Sequence, residues 1–287
     1  MSAPAIIIDC DPGHDDAVAI ITAAHHARIL GITTVSGNVP LHLTTRNALI
    51  ITQILELDVP VHSGARGPLL GEPTHAESIH GASGLAGPEL PPLQRKAAGS
   101  DAVRFIVDTV REHEDVWLVA IGPLTNVALA LRSAPDLVER LAGVSLMGGG
   151  IAFGNATPAA EFNILADPEA AAAVFEAPVR KIMAPLDLTH QFDMDDRVIA
   201  ELRGGPGRTA TFVADMLDSY ADAYARTYSG EREGPLHDPC AVLALTHPEL
   251  FESEELNVVV ETQGRYTRGM TLADRRGSRS NLEPNTT

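Results

Sequence analysis

The sequence predicts an α/β protein: a mostly parallel central sheet flanked by helices, Rossmann-like, with a more helical C-terminal third. Three observations predict it. Short apolar runs alternate with helical patterns through the N-terminal half, as repeated βα units with right-handed crossovers require. Polar clusters follow several of those runs directly, at what would be the carboxyl ends of the strands. No linker and no internal repeat divides the 287 residues, a length that suits one large α/β domain. The chain is therefore read as a single domain over residues 1–287.

The elements follow in order. Strand Ala5–Cys10 runs into Asp9-Cys10-Asp11-Pro12-Gly13-His14-Asp15-Asp16, which packs four carboxylates into eight residues. Pro12-Gly13 makes a turn, and a helix near His14–His26 has the apolar density of a buried element. A strand near Ile29–Ser36, a helix near His42–Leu57 and a short strand Val59–His62 come next. From Ser63 to Lys96 the pattern lapses into Gly, Pro and His, an irregular stretch of the length that functional loops have. Periodicity returns with a helix near Ser100–His113, strand Val116–Ile121, a helix from Leu124 and another near Pro135–Arg140. Strand Val144–Met147 enters Gly148-Gly149-Gly150, and Ile151 to Ala166 is again irregular. Asp167-Pro168 reads as N-cap and first residue of a helix reaching Phe175. Strand Val179–Ala184 precedes helices Asp195–Leu202, Arg208–Tyr228 and Asp238–Thr246, then strand Leu256–Val260.

Composition bounds the function. With 45% hydrophobic and 21% charged residues the chain is globular. Lys+Arg 21 against Asp+Glu 38 gives −17 at neutral pH, which opposes nucleic-acid or anionic-membrane binding. Cys10 and Cys240 make no disulfide framework and no zinc spacing. Met1 to Pro4 is too short for a signal peptide, and no apolar run reaches membrane-span length. The sequence reads as soluble and cytoplasmic, with no nucleic-acid and no membrane partner.

Four acids at a strand end repel one another unless something positive sits among them. Hard oxygen ligands clustered this way suit Ca²⁺ or Mg²⁺. A plainer reading stays open, in which Asp15 and Asp16 cap the helix while Asp9 and Asp11 end a strand. More polar clusters fall on the same sheet edge: Ser36-Gly37-Asn38, Gly122-Pro123-Leu124-Thr125-Asn126, Asn155 with Glu161-Phe162-Asn163, Asp187 with His190, and His237-Asp238-Pro239-Cys240. Singly, Asn after a strand is turn chemistry and Asp238-Pro239 is a helix cap. Several along one edge point to a binding site.

Asp9 to Asp16 resembles the signature of the nucleoside hydrolases, the inosine–uridine-preferring N-ribohydrolases. Gly122 to Asn126, Met147 to Gly150, Asn155 to Asn163 and His237-Asp238-Pro239 match in family order; Ile79-His80-Gly81 and Leu186 to His190 also fit. The resemblance spans nearly the whole chain and implies the nucleoside hydrolase fold. It implies Ca²⁺-dependent hydrolysis of the N-glycosidic bond of ribonucleosides, releasing ribose and a free purine or pyrimidine base, in nucleoside salvage and catabolism. Asp11, Asp16 and Asp238 would hold Ca²⁺ with the backbone carbonyl of Ile121, and Asp11 would act as general base. Asp15, Asn38, Asn155, Glu161 and Asn163 would bind ribose hydroxyls, with Met147 against the sugar. His237 would be the general acid.

Tyr220 and Tyr224 align with positions near the base in purine-tolerant members, and His80 would stack on the base; tyrosines one turn apart also suit plain packing. Trp117 falls on a core strand, so relatives that grip the base between tryptophans are poor models. The family tends to form homodimers or homotetramers. It usually continues past Gly269–Asp274 through another strand and a final helix, whereas this chain ends in a polar tail, Asn281–Thr287.

Two alternatives remain at this level. A haloacid-dehalogenase-type phosphohydrolase also places Asp-x-Asp after its first strand, with one Asp as nucleophile and Mg²⁺ as cofactor. Against it, no Gly-Thr follows Asp11 and lysines are few. A non-catalytic nucleoside-binding relative would keep the fold without turnover; Asp11, Asp16, His237 and Asp238 together argue against that.

Overall fold

The computed structural model describes residues 3–232, 234–280 and 282–287. Its centre is a six-stranded parallel sheet in the order β3-β2-β1-β4-β5-β6. β1 (Ala5–Cys10) is buried along its whole length. Ile6, Ile8 and Cys10 pack into one apolar cluster and Ile7 into the other, the two-residue period of a strand covered on both faces. β4 (Val116–Ala120) repeats this: Trp117 and Val119 face one side, Val116, Leu118 and Ala120 the other.

In chain order, α1 (His14–His26), β2 (Arg28–Thr34), α2 (Leu41–Ile54) and β3 (Val61–Ser63) complete the first half of the sheet. β2 ends two residues before the predicted Ser36: the Val35 N–H makes the last bond to β1, on the Cys10 carbonyl, and the Ser36 N–H leaves the ladder for the Ala65 carbonyl. β3 begins after Pro60, which has no N–H to pair; its carbonyl accepts from Ile32 instead. α3 (Glu77–His80) is a short helix inside the stretch expected to be irregular. Next come α4 (Ala102–Glu112), β4, α5 (Thr125–Ser133), α6 (Leu137–Arg140) and β5 (Gly143–Met147).

α7 (Phe162–Ala166) interrupts the second irregular segment and is followed by α8 (Pro168–Glu176), with Asp167 accepting the Ala170 N–H as the predicted N-cap. β6 (Lys181–Ala184), α9 (Leu186–Thr189), β7 (Asp193–Met194), α10 (Asp196–Arg203) and α11 (Arg208–Tyr224) follow. The predicted helix to Tyr228 changes character at Ala225, where a π-helical turn spans Ala225–Ser229 and the Gly230 N–H closes on the Ala225 carbonyl. Such turns frequently accompany functional sites. β8 (Gly234–Pro235) pairs antiparallel with β7, and α12 (Pro239–Thr246) returns to the sheet.

β9 (Val258–Val260) and β10 (Thr271–Ala273) form a hairpin, of which only the first strand was predicted. The polar tail lies against the sheet edge, with the Thr287 N–H on the Lys181 carbonyl and the Met183 N–H on the Thr287 carbonyl; Asn281 lies outside the described residues.

Helices α1, α2, α11 and α12 cover one face, and α4, α5 and α8 the other. Strand order reverses on either side of β1, between β2 and β4, so a crevice opens at the carboxyl ends of β1 and β4. Among the described residues, no helix is long and apolar enough to cross a membrane.

Candidate active site

At that crevice lies a cavity of about 300 Å³. Asp15, Asn38, His80, Ile121, Met147, Asn155, Glu161, Asn163, Tyr220, Tyr224, His237 and Asp238 all line it. Of the predicted site residues, Asp11 and Asp16 are the two that do not; both are fully buried and bonded to Asn38.

The acidic turn is built by backbone donors. Asp16 accepts from the Asp11 N–H (3.1 Å) and the Gly13 N–H (2.9 Å), so it closes the α1 N-terminus while sitting in the acid cluster. Asp11 Oδ2 accepts the Asn38 N–H at 2.6 Å, and Asp11 Oδ1 is buried without a partner among the described residues. This carboxylate is clasped by Gly37 and Gly122, where a Cβ would collide with one or the other oxygen. Asp238 is the N-cap of α12 yet makes no side-chain capping bond. Its carboxylate joins those of Asp15 and Asp16, with one oxygen of each within 4.8 Å of the others.

Asp9 departs from the expectation of four converging acids. It accepts from Thr33 Oγ1 (2.5 Å) and Asn126 Nδ2 (2.8 Å), tying β1 to β2 and α5. Asn126 also donates to the Thr34 carbonyl and accepts the Ala65 N–H, so it is a structural knot outside the cavity lining.

Burial, reinforced by mutual repulsion, pushes Asp15 up to about 7 and holds Asp11 and Asp238 well above the usual carboxylate range. Burial lifts Asp16 to about 6 against the Gly13 and Asp11 N–H bonds. Among the described residues, buried hard oxygens, an orphaned Asp11 Oδ1 and no lining Lys or Arg together fit a hard divalent cation such as Ca²⁺.

The 148–163 segment supplies a second polar wall. Glu161 caps α7, accepting the N–H groups of Asn163, Ile164 and Gly149, and so fastens the helix to the glycine turn. Asn155 Oδ1 accepts the Phe162 N–H at 3.0 Å. Asn163 Nδ2 donates to the Ile121 and Met147 carbonyls (3.2 Å each), joining the ends of β4 and β5.

The remaining wall is aromatic. His80 stacks with His14 at 5.2 Å and lies 6.0 Å from Tyr220. Tyr220, Tyr224 and Tyr228 form a ladder with centroids 5.9 and 4.7 Å apart. The buried Tyr220 hydroxyl donates to the Pro235 carbonyl, so this residue packs and lines the cavity at once. Tyr228, His75, Ser78 and Phe162 also line the cavity and were missed. Tyr228 repeats the four-residue spacing of Tyr220 and Tyr224, a signal that was there to be read. His237 Nδ1 lies 2.7 Å from Thr189 Oγ1, and burial with His190 nearby pushes its pKa down to about 3. Trp117 is buried on β4, away from the cavity, under Arg180. Asp187 and His190 do not line it either.

The fold and site define an α/β protein with an acid-floored, amide- and aromatic-walled cavity at a sheet switch point. Comparison with known proteins agrees. The family described as inosine-uridine preferring nucleoside hydrolase matches residues 6–287. A pyrimidine-specific ribonucleoside hydrolase RihA of Salmonella typhimurium is 44% identical, over 94% of this chain and 88% of that protein. The RihA of an Enterobacter species is 43% identical, over 98% of this chain and 91% of its own. Among solved structures, a purine-preferring ribonucleoside hydrolase from Gardnerella vaginalis superposes with a TM-score of 0.92 at 33% identity, covering 98% of this chain and 92% of that one. The chain belongs to the inosine-uridine preferring nucleoside hydrolase family and is an enzyme of that class. The phosphohydrolase alternative is thereby set aside.

Proposed function

We propose that the protein hydrolyses the N-glycosidic bond of ribonucleosides, releasing ribose and a free purine or pyrimidine base, and that Ca²⁺ is its metal. The observation that carries this reading is the buried group of Asp11, Asp15, Asp16 and Asp238 beneath a cavity that His237 and three tyrosines also face. Asp11, Asp16, Asp238 and the Ile121 carbonyl would hold the ion. Bound there, Ca²⁺ supplies Lewis-acid activation of a water molecule and offsets the carboxylate charge.

The chain's own residues do the rest. Asp11 takes the water proton as general base, at Oδ1, because Oδ2 is occupied by the Asn38 N–H. Asp15, Asn38, Asn155, Glu161 and Asn163 bind the ribose hydroxyls, with Met147 against the sugar, which fixes a reactive geometry. Carboxylates and amide oxygens around the ring favour the oxocarbenium-like charge as the C–N bond breaks. His237 gives the departing base its proton from Nε2, since Nδ1 is engaged by Thr189. His80, Tyr220 and Tyr224 enclose the base. Relatives of both named preferences, pyrimidine-specific and purine-preferring, support a pocket that accepts either class.

On this reading the chain is one nucleoside hydrolase domain, assembled as a homodimer or homotetramer, acting in the cytoplasm in nucleoside salvage; light scattering checks the assembly. The deciding experiment is a reducing-sugar assay with inosine and uridine, before and after chelation, beside Asp11→Ala. Ribose release lost on chelation, restored by Ca²⁺ and absent in the variant is the expected result. Tight nucleoside binding without release by the calcium-loaded protein would overturn the proposal.

A further inference from the structure

α9 touches the cavity nowhere, yet it is bonded to both sides of it. The Leu186 N–H donates to the Gly149 carbonyl (2.9 Å), which sets α9 against the glycine turn after β5. Asp187 then accepts the successive N–H groups of Ile151 (2.6 Å) and Ala152 (3.1 Å), at the start of the segment that carries Asn155. Two residues further on, the fully buried Thr189 meets His237 Nδ1 at 2.7 Å. One turn of helix therefore grips the ribose wall with a carboxylate and the imidazole with a hydroxyl.

We infer that α9 is the brace of the active site, with Thr189 as the positioning residue for His237 and Asp187 as the positioning residue for the ribose-binding segment. The inference rests on the reading of His237 as general acid. A buried hydroxyl needs a partner, and this one has Nδ1. Hydroxyl chemistry suits the task, because an Oγ1 lone pair accepts Nδ1–H from the doubly protonated ring and from the neutral ring left when Nε2 gives up its proton. The bond therefore survives the proton's transfer. As the C–N bond breaks, its electron pair goes to the base nitrogen and takes the Nε2 proton of a His237 ring protonated on both nitrogens; the neutral ring left behind keeps its Nδ1–H on Thr189 Oγ1, and solvent returns the Nε2 proton before the next turnover. The substitution Thr189→Val keeps the volume and offers neither donor nor acceptor. Asp187 works differently: two backbone donors need two acceptor oxygens, and an amide offers one.

The test uses two substrates that differ in what the leaving group needs. Inosine loses its base with a proton, whereas p-nitrophenyl β-D-ribofuranoside loses a phenolate that leaves without one. Thr189→Val is expected to lower kcat on inosine by about 10- to 100-fold, a part of the about 10²- to 10⁴-fold that a general acid contributes, because the variant keeps His237 and loses only its positioning. It should leave the p-nitrophenyl riboside within about twofold, and Thr189→Ser should restore inosine turnover. Asp187→Asn should instead raise KM for both substrates, because both carry the ribose. Equal losses on the two substrates in Thr189→Val, or no loss on inosine, would overturn the brace.

His237→Ala separates the two levels. If it slows both substrates alike, the general-acid reading itself fails; if it spares the p-nitrophenyl riboside and Thr189→Val does not discriminate, the brace alone fails. Long-range ¹H–¹⁵N spectra of the imidazoles give a readout independent of turnover. The His237 Nδ1 resonance should move in Thr189→Val and hold in Thr189→Ser, and an unmoved resonance in a folded Thr189→Val protein overturns the inference.

Discussion

Chelated and calcium-loaded protein should differ in how stability depends on pH. Asp15 is raised from 3.8 to about 7 and Asp16 from 3.8 to about 6, in both cases chiefly by burial. Such rises oppose folding of the ionised forms by about 4 and about 3 kcal/mol. The folded chain binds more protons than the unfolded one between the two values. The stability these groups contribute is therefore fully present below the unfolded value and is lost as pH rises through the folded value. From about pH 5 to about pH 8, Asp15 loses about 3 kcal/mol and Asp16 about 1, or about 4 kcal/mol together. That is a large share of an ordinary folding free energy.

A cation among the carboxylates removes this loss, because it holds them ionised at little cost. Asp9 is the internal control. It is raised to about 6 by burial but is bonded to Thr33 and Asn126, so its loss of about 1 kcal/mol over the same interval persists with the ion bound. Urea unfolding of metal-stripped protein across that range, with and without excess Ca²⁺, measures both slopes. Stripped protein as stable at the alkaline end as at the acid end, or equal slopes in the two series, would refute the reasoning.

Three further outcomes follow from individual contacts. Gly122→Ala places a methyl against Asp11 Oδ1, so ribose release should fall at least about tenfold, with about 1–3 kcal/mol lost to overpacking in thermal or urea unfolding. Asn126→Ala strips partners from Asp9, Thr34 and Ala65, and should cost about 2–3 kcal/mol in unfolding while leaving KM unchanged, since Asn126 does not line the cavity. Nucleoside 5′-monophosphates should resist hydrolysis that the parent nucleosides undergo, because Asp15, Glu161 and Asp238 line the cavity and, among the described residues, no Lys or Arg does; base release followed by chromatography checks it.

The candidate site was legible where it is local in sequence. Asp11 to Asp16 lie within one strand-turn-helix junction, so composition and turn chemistry suffice to place them. Segment 155–163 was legible as a motif, although the short helix α7 inside it was not; Glu161 caps that helix through its side chain, and a single turn carries too little periodicity to be seen. The same holds for α3, which delivers His80 from a stretch expected to be irregular. The π-helical turn after Tyr224 was also out of reach, because an amphipathic pattern does not distinguish i+4 from i+5 bonding across one turn.

By itself the sequence determined the βα alternation, the parallel sheet and the kinds of atom gathered at one edge. Strand burial and strand-end polarity are properties of short segments, and they repeat. Only the tertiary structure decided which of those polar groups face the cavity. Asp9, Asn126 and Asp187 have the same credentials in sequence as Asp15, Asn163 and Asp238, yet they are consumed by β2, by loop backbone and by the 151–152 turn. Asp238 has the sequence of an ordinary helix cap and does not cap. A carboxylate takes whichever donors or charges surround it after packing, and those come from other elements, 24 positions away for Asp9 and Thr33, 36 for Asp187 and Ile151 and 117 for Asp9 and Asn126.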